Sequence, residues 1–293
     1  MARLIVNADD FGLTRGVTRA IAELHAAHAL TSTTLMARAQ ATHEAVQTAL
    51  DTPTLGVGCH VVLVDGEPLL SAASRIPHLA CATTGRFRPK LGGFLRWLHG
   101  LERDGSTARQ RADEIEAEAE AQILSLQSQG LRLTHIDTHK HTHMFPAVLR
   151  PVLRAAKRAG IRVVRNPFEP RWSVRATPQA PWLRRMEVHA LRMLEMRFRR
   201  MVAEEGFATT DGALGVLATG TLSAATVDAL LAALPSTGTY ELVSHPGYND
   251  ADLAGAHTRL LASRELERAA LLRVIAHPAV ELVSFTALQQ RHT

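Results

Sequence analysis

Apolar, β-branched runs alternate with amphipathic helical stretches along nearly the whole chain, and this alternation predicts an α/β fold built on a parallel sheet. The strand-like runs are almost continuously apolar, as strands covered on both faces are. Six or seven strand–helix units fit a distorted or incomplete (β/α) TIM-like barrel better than a short doubly wound sheet. The 293 residues suit a single domain with insertions at about 65–104 and 166–215, because such barrels reach about 250 residues as one unit.

The elements follow in order. RLIVNA (3–8) is apolar and β-branched and reads as the first strand, and GVTRAIAELHAAHAL (16–30) carries a helical apolar stripe. TSTTLMA (31–37) is strand-like, ATHEAVQTALD (41–51) helical and LGVGCHVVLV (55–64) strand-like again. The Gly- and Pro-bearing stretch 65–104 reads as a loop-rich insertion. A long helix follows, with Ser106 or Thr107 as N-cap and Gly130 just past its end. LRLTHID (131–137) is a strand, 146–160 a helix and IRVVR (161–165) a strand. Beyond the irregular Pro- and Arg-rich segment, helices at 226–235 and 264–276 alternate with strands TYELVSH (239–245) and VELVSF (280–285).

Several function classes drop out. No G-x-G-x-x-G follows the first strand and no G-x-x-x-x-G-K-[ST] occurs, which removes support for nucleotide folds. No apolar run approaches the roughly 18–20 residues of a membrane span, and the N-terminus reads as a strand rather than a leader. Cys59 and Cys81 are too few for a disulfide framework, and a cytoplasmic protein is expected. The net charge of +5 is uneven: residues 150–200 hold 14 basic side chains against Glu169, Glu187 and Glu195. Such a patch can attract anions. It comes without a helix-turn-helix, zinc-finger or aromatic RNA-binding pattern, so no nucleic-acid partner is expected.

Polar clusters close the apolar strands, where parallel α/β folds gather their sites. Asn7-Ala8-Asp9-Asp10-Phe11-Gly12 ends the first strand. Adjacent strand residues face apart, so Asp9 and Asp10 can share a site only where the chain bends, and Gly12 is the expected bend. One or both acids could instead cap the next helix. His60 lies in the third strand run. Thr134–His143 places His135, Asp137, His139, His141 and His143 at odd positions, which period two would put on one face. An imidazole cluster of this density points to metal, although a catalytic divalent ion takes about three protein groups and leaves a position open. The remainder would orient ligands, touch substrate or carry protons. Ser244-His245-Pro246-Gly247-Tyr248 is a fourth cluster; the second His-Pro, His277-Pro278, has no evident partner. A carboxylate and imidazoles from separate strands suit non-haem iron, zinc or a harder metal. They favour metal-assisted hydrolysis, with the spare acid as general base, over the iron-oxygenase chemistry that the same residues also admit.

At these residues the chain resembles the YdjC-like carbohydrate deacetylases, the family that includes chitooligosaccharide and hopanoid-associated deacetylases. The matching stretches are NADDFGL (7–13), TSTT (31–34), GVGCHVVL (56–63), THIDTHKHTHMFP (134–146) and SHPGY (244–248), in the family's order. The resemblance implies a (β/α) barrel-like fold and one divalent metal, Mg2+ foremost and Zn2+ as the other candidate. It implies removal of acetyl from an N-acetylated amino sugar, either a chitooligosaccharide or an N-acetylglucosaminyl glycolipid such as a hopanoid. By position, Asp10, His60 and His139 would hold the metal, Asp9 would be the base and His245 the acid for the leaving amine. Arg165 would lie near Asp9 or the substrate. Asp137 or His135 would fix the tautomer of His139, and His141 and His143 would support the site or touch substrate. Cys59, just before the metal histidine, departs from the family pattern. The segment after Arg165 matches poorly and would shape substrate choice.

The Arg-rich stretch 182–206 interleaves Leu183, Met186, Leu194, Phe198 and Met201 with arginines. It admits peripheral contact with the inner membrane face, a homodimer contact, or an ordinary barrel helix. The rival functions are a metal-dependent phosphoesterase, with the basic patch on phosphate, and a non-catalytic sugar-binding protein.

Overall fold

The computed structural model describes residues 1–81, 83–102, 104–256, 258, 260–276 and 280–289; His277-Pro278 lies outside them. Strands β1 (Ala2–Phe11), β2 (Ser32–Leu35), β3 (Gly56–Val61), β4 (Ile136–Thr138), β5 (Gly212–Leu214), β6 (Thr239–Ser244) and β7 (Val280–Leu282) form one parallel sheet. The order is β4-β3-β2-β1-β6-β5, with β7 also on β1. Two strands share one edge of β1: Leu4 O accepts from Val283 N beside β7, and Val6 O accepts from Thr31 N at the entrance to β2. Isolated bridges carry the backbone past β4, Ile136 to Val164 and Val163 to Ala208, toward the stretch entering β5. The result is a mixed α/β domain on a curled parallel sheet, consistent with a distorted barrel.

Helices Arg15–Ala26, Thr42–Asp51, Ala108–Gln127, Pro146–Arg158, Ala224–Ala232 and Ser263–Leu271 match expected positions. Thr107 caps the long helix, its hydroxyl accepting from Gln110 N while Thr107 N donates back to the Gln110 side chain. Four strand assignments need correction. Run 131–137 pairs as a strand only from Ile136, run 161–165 contributes bridges rather than a strand, and run 280–285 is a strand only to Leu282. β5 falls inside the stretch 166–215, where an insertion is expected from the sequence. Single short runs look alike whether or not a neighbour lies in register, and pairing decides which become strands.

Alternation along each strand sorts two environments. On β1, Leu4, Val6 and Ala8 join the large apolar cluster outside the sheet, beneath the helices. Ile5 faces the other way and packs with Val163, Phe285 and Leu288. Asn7 and Asp9 continue Ile5's face toward the C-terminal end. β3 repeats the rule, with Val57, Cys59 and Val61 outside and Gly58 and His60 opposite. The inner face is therefore apolar low down and densely polar at the strands' C-terminal ends.

Candidate active site

Asp9 and Asp10 both reach the centre because the chain turns at Asp10 itself. Its φ is 63°, and the β1–β2 register shifts between Ala8 and Phe11. The bend is thus ahead of the glycine expected to supply it. Gly12, at φ 88°, completes the turn, and a Cβ there would lie 3.1 Å from Thr42 Cα. Neither acid caps a helix, since Thr14 caps Arg15–Ala26 by accepting from Val17 N. Both are left to the site.

Asp10 Oδ1 lies 3.5 Å from His60 Nε2 and 3.4 Å from His139 Nδ1, and the two ring nitrogens are 3.3 Å apart. Asp10 Oδ1 is buried with no hydrogen-bond partner. Its other oxygen accepts from Arg264 Nη2 at 2.6 Å. Burial opposes ionisation of Asp10, yet Arg264 and the two histidines hold it well below the usual carboxylate range.

His60 Nδ1 is 2.8 Å from Asp137 Oδ1, which leaves Nε2 facing Asp10. Asp137 therefore orients His60, not His139 as expected from the sequence, because β3 and β4 pair His60 directly with Asp137. Thr34 Oγ1 lies within 3.4 Å of Asp9, His60 and Asp137 together. Burial works against a charged imidazole at His60, but Asp137, Asp9 and Asp10 raise it to about 9.

The residues fit a divalent cation. A second trio, Asp9, His60 and Asp137, also has ligand atoms within 4.8 Å of one another. Its carboxylates are already bound by Arg165, whereas Asp10 Oδ1 is free. Five buried acids, Asp9, Asp10, Asp137, Glu241 and Glu267, stand around the site with two buried guanidiniums, Arg165 and Arg264. That balance favours positive charge at the centre, and the upward shift of His60 has the same cause.

Arg165 anchors the polar core. It donates to Asp9 through Nη1–Oδ2 at 2.8 Å and Nη2–Oδ1 at 2.6 Å, to Glu241 Oε1 at 2.8 Å through Nε, and contacts Asp137. Burial and Asp137 push the Asp9 carboxyl up, and Arg165 brings it below its ordinary value. Burial lifts Glu241 to about 7 despite Arg165. His245 Nε2 stands 3.7 Å from Asp9 Oδ2, and its Nδ1 is 3.7 Å from Glu267 Oε2, which also accepts from His245 N at 2.6 Å. Burial disfavours the imidazolium, but Glu267 and the aspartates raise His245 above its usual value.

The histidine run does not share one face. β4 ends at Thr138, and His139–Met144 winds into a 3-10 turn with Lys140 and His141 at φ 56° and 51°. Thr138 Oγ1 holds that turn by accepting from His143 N. Only His139 enters the trio. His143 bonds Thr138 Oγ1 and the Arg165 carbonyl and sits edge-on to Phe198; burial lowers it to about 4. His135 stacks on Phe285 with centroids 3.7 Å apart, and burial lowers it to about 3. His141 is half-buried, its ring 6.3 Å from that of His143. Cys59 faces the apolar outer cluster, away from His60.

Glu241, Arg264 and Glu267 join the site without having been singled out by the sequence. Glu241 sits mid-strand in TYELVSH, where an acid on an apolar run is a usable signal. Arg264 and Glu267 look like ordinary charges of an amphipathic helix, with nothing local to mark them.

Residues 3–282 match the family described as YdjC-like protein. A carbohydrate deacetylase of Brevibacillus brevis is 39% identical over 155 residues, 53% of this chain and 56% of that protein. One of Halalkalibacterium halodurans is 34% identical over 168 residues, 56% of this chain and 65% of that protein. The chain thus covers less than two thirds of the length of either relative. Among solved structures it is similar to a protein of Enterococcus faecalis named for cellobiose-phosphate cleavage, with 24% identity, a TM-score of 0.74 and 98% of each chain covered. It is also similar to a lactam utilization protein of Thermus thermophilus, with 14% identity, a TM-score of 0.52 and 96% and 99% covered. These two likenesses speak to the fold alone. With the family matched across almost the entire length, the chain belongs to the YdjC-like protein family.

Proposed function

We propose that this chain is a metal-dependent hydrolase that removes the acetyl group from an N-acetylated amino sugar, on a distorted (β/α) barrel. One observation carries the reading: the unpartnered Asp10 Oδ1 converges with His60 Nε2 and His139 Nδ1, while a further acid, Asp9, stands beside the trio. The names of the two carbohydrate deacetylases support the sugar chemistry.

Asp10, His60 and His139 would hold the cation, which supplies Lewis-acid polarisation of a carbonyl and makes water easier to deprotonate. Two imidazoles and one carboxylate suit zinc better than magnesium, which prefers oxygen donors. The remaining steps belong to the chain. Asp9 takes a proton from the attacking water as its oxygen bonds to the amide carbon, and Arg165 fixes that carboxylate with two parallel bonds. His245 gives its proton to the amide nitrogen as the C–N bond breaks, releasing acetate and the free amine. Glu267 holds His245 in place and, against burial, shifts it toward its charged form. Asp137 keeps the His60 Nε2 lone pair aimed inward. His135 and His143 support the walls.

The phosphoester reading finds little to hold a phosphate, because the buried cations Arg165 and Arg264 are already committed to carboxylates. A sugar-binding protein without chemistry gives Asp9 no use beyond its pairing with Arg165. Chitooligosaccharides and N-acetylglucosaminyl glycolipids are the substrates this reading favours, with a cytoplasmic location. No helix among the described residues is long and apolar enough to cross a membrane. The test is mass spectrometry of N-acetylglucosamine oligomers and glycolipids incubated with the protein, with and without chelator. Chelator-sensitive loss of one acetyl group supports the reading, and absence of any acetyl loss with metal-loaded protein overturns it.

A further inference from the structure

The helix Trp182–Leu191, the 3-10 turn Arg192–Leu194 and the helix Glu195–Glu204 run on from one another. The apolar residues of this stretch divide between two faces rather than forming one stripe. Val188, Phe198, Met201 and Val202 are buried against the protein. Trp182, Met186, Met193 and Met196, spaced at helical intervals, face solvent at 70%, 58%, 86% and 72% exposure, with Leu183 beside them at 59%. An exposed row of this length marks a contact surface.

The charge around it is equally one-sided. Residues 171–200 contain eight arginines and two glutamates, a local charge of +6, so the rest of the chain carries −1. Arg171, Arg175, Arg197 and Arg200 are exposed. The described residues offer these four no salt bridge, while Arg184, Arg192 and Arg199 pair with Glu187 and Glu195. The whole positive excess of the molecule therefore lies in the segment that carries the exposed Trp/Met stripe.

We propose that this face docks on an anionic lipid bilayer surface. Methionine and tryptophan side chains enter the headgroup boundary, and the unpaired guanidiniums meet lipid phosphates. A second copy of the chain is a poor occupant, because a two-fold contact would set arginines against arginines. Val188 packs with Leu217, just beyond the end of β5, and Arg184 Nη2 donates to Val216 O. The helix that carries the docking face therefore packs beside the C-terminal end of β5, on the side of the sheet where the strands deliver Asp10, His60 and His139.

The experiment is vesicle flotation of the full chain, with phosphatidylcholine alone and with phosphatidylcholine and phosphatidylglycerol in equal amounts. The expected result is binding to the anionic vesicles only, weakened by salt. Arg171→Gln/Arg175→Gln/Arg197→Gln/Arg200→Gln should bind at least about a hundredfold more weakly. Met186→Gln/Met193→Gln/Met196→Gln should also lose binding, and both variants should keep the wild-type melting temperature. Equal binding to neutral and anionic vesicles overturns the proposal, as does no binding at all or undiminished binding by the arginine variant. A dimer in sedimentation velocity that the methionine variant abolishes would also overturn it, by giving the stripe another occupant.

Discussion

Asp9 and Arg165, 156 positions apart in the chain, meet through two parallel hydrogen bonds at 2.6 and 2.8 Å with both side chains buried. The same guanidinium reaches Asp137 and Glu241, so one cation organises three carboxylates from three strands. Arg165→Met should destabilise the protein by about 3–5 kcal/mol, because it leaves buried acids without their counter-charge. Arg165→Lys should recover part of the stability but little activity, since an ammonium cannot make the paired contact. Chemical denaturation alongside an acetate-release assay checks both.

Asp9→Asn should keep the metal and lower turnover by about 10²–10⁴-fold, the range for a lost general base. His139→Ala and Asp10→Asn should lose metal and activity together. Metal content by inductively coupled plasma mass spectrometry separates the cases, and equal metal loss in Asp9→Asn and His139→Ala would refute the division of roles.

Chelation of the wild type should abolish deacetylation, and Zn2+ should restore it at lower concentration than Mg2+, given the two-imidazole donor set. Restoration by Mg2+ alone would contradict that preference. Titration of each ion into stripped protein, followed by activity, reads the order.

The pH profile should show an alkaline limb above the ordinary histidine value of about 6.5, because Glu267 and the aspartates outweigh burial and raise His245. Glu267→Gln removes one of those negative charges, so the protonated fraction near neutrality falls. The alkaline limb of kcat should move to lower pH, with KM nearly unchanged. An unmoved limb would assign the titration to another group.

Gly58→Ala should cost stability and disturb the site from below. Its Cβ would lie 2.5 Å from His135 Cε1, and that ring is pinned between Thr134 Oγ1 and Phe285. A loss of about 1–3 kcal/mol is expected for such overpacking, read from the denaturation midpoint.

What could be read from residue order alone was local. The acids after an apolar strand, the density of imidazoles between Thr134 and His143, and the strand–helix alternation all express themselves within a few residues. They pointed to the α/β class and to a carboxylate–imidazole site, whereas His60 was singled out by the family resemblance. Period two also carried weight along β1 and β3, where regular backbone keeps it true. It failed past Thr138, because the left-handed turn at Lys140 and His141 swings His141 and His143 out of line with His139. Partnership was decided elsewhere. Asp10 finds Arg264 across 254 positions and Asp137 orients His60 across 77, and no spacing rule encodes either. Sheet register and the docking of the helix Ser263–Leu271 set those distances. Burial then makes the pairings strong, since charges removed from water must be matched by whichever opposite charges the fold brings beside them.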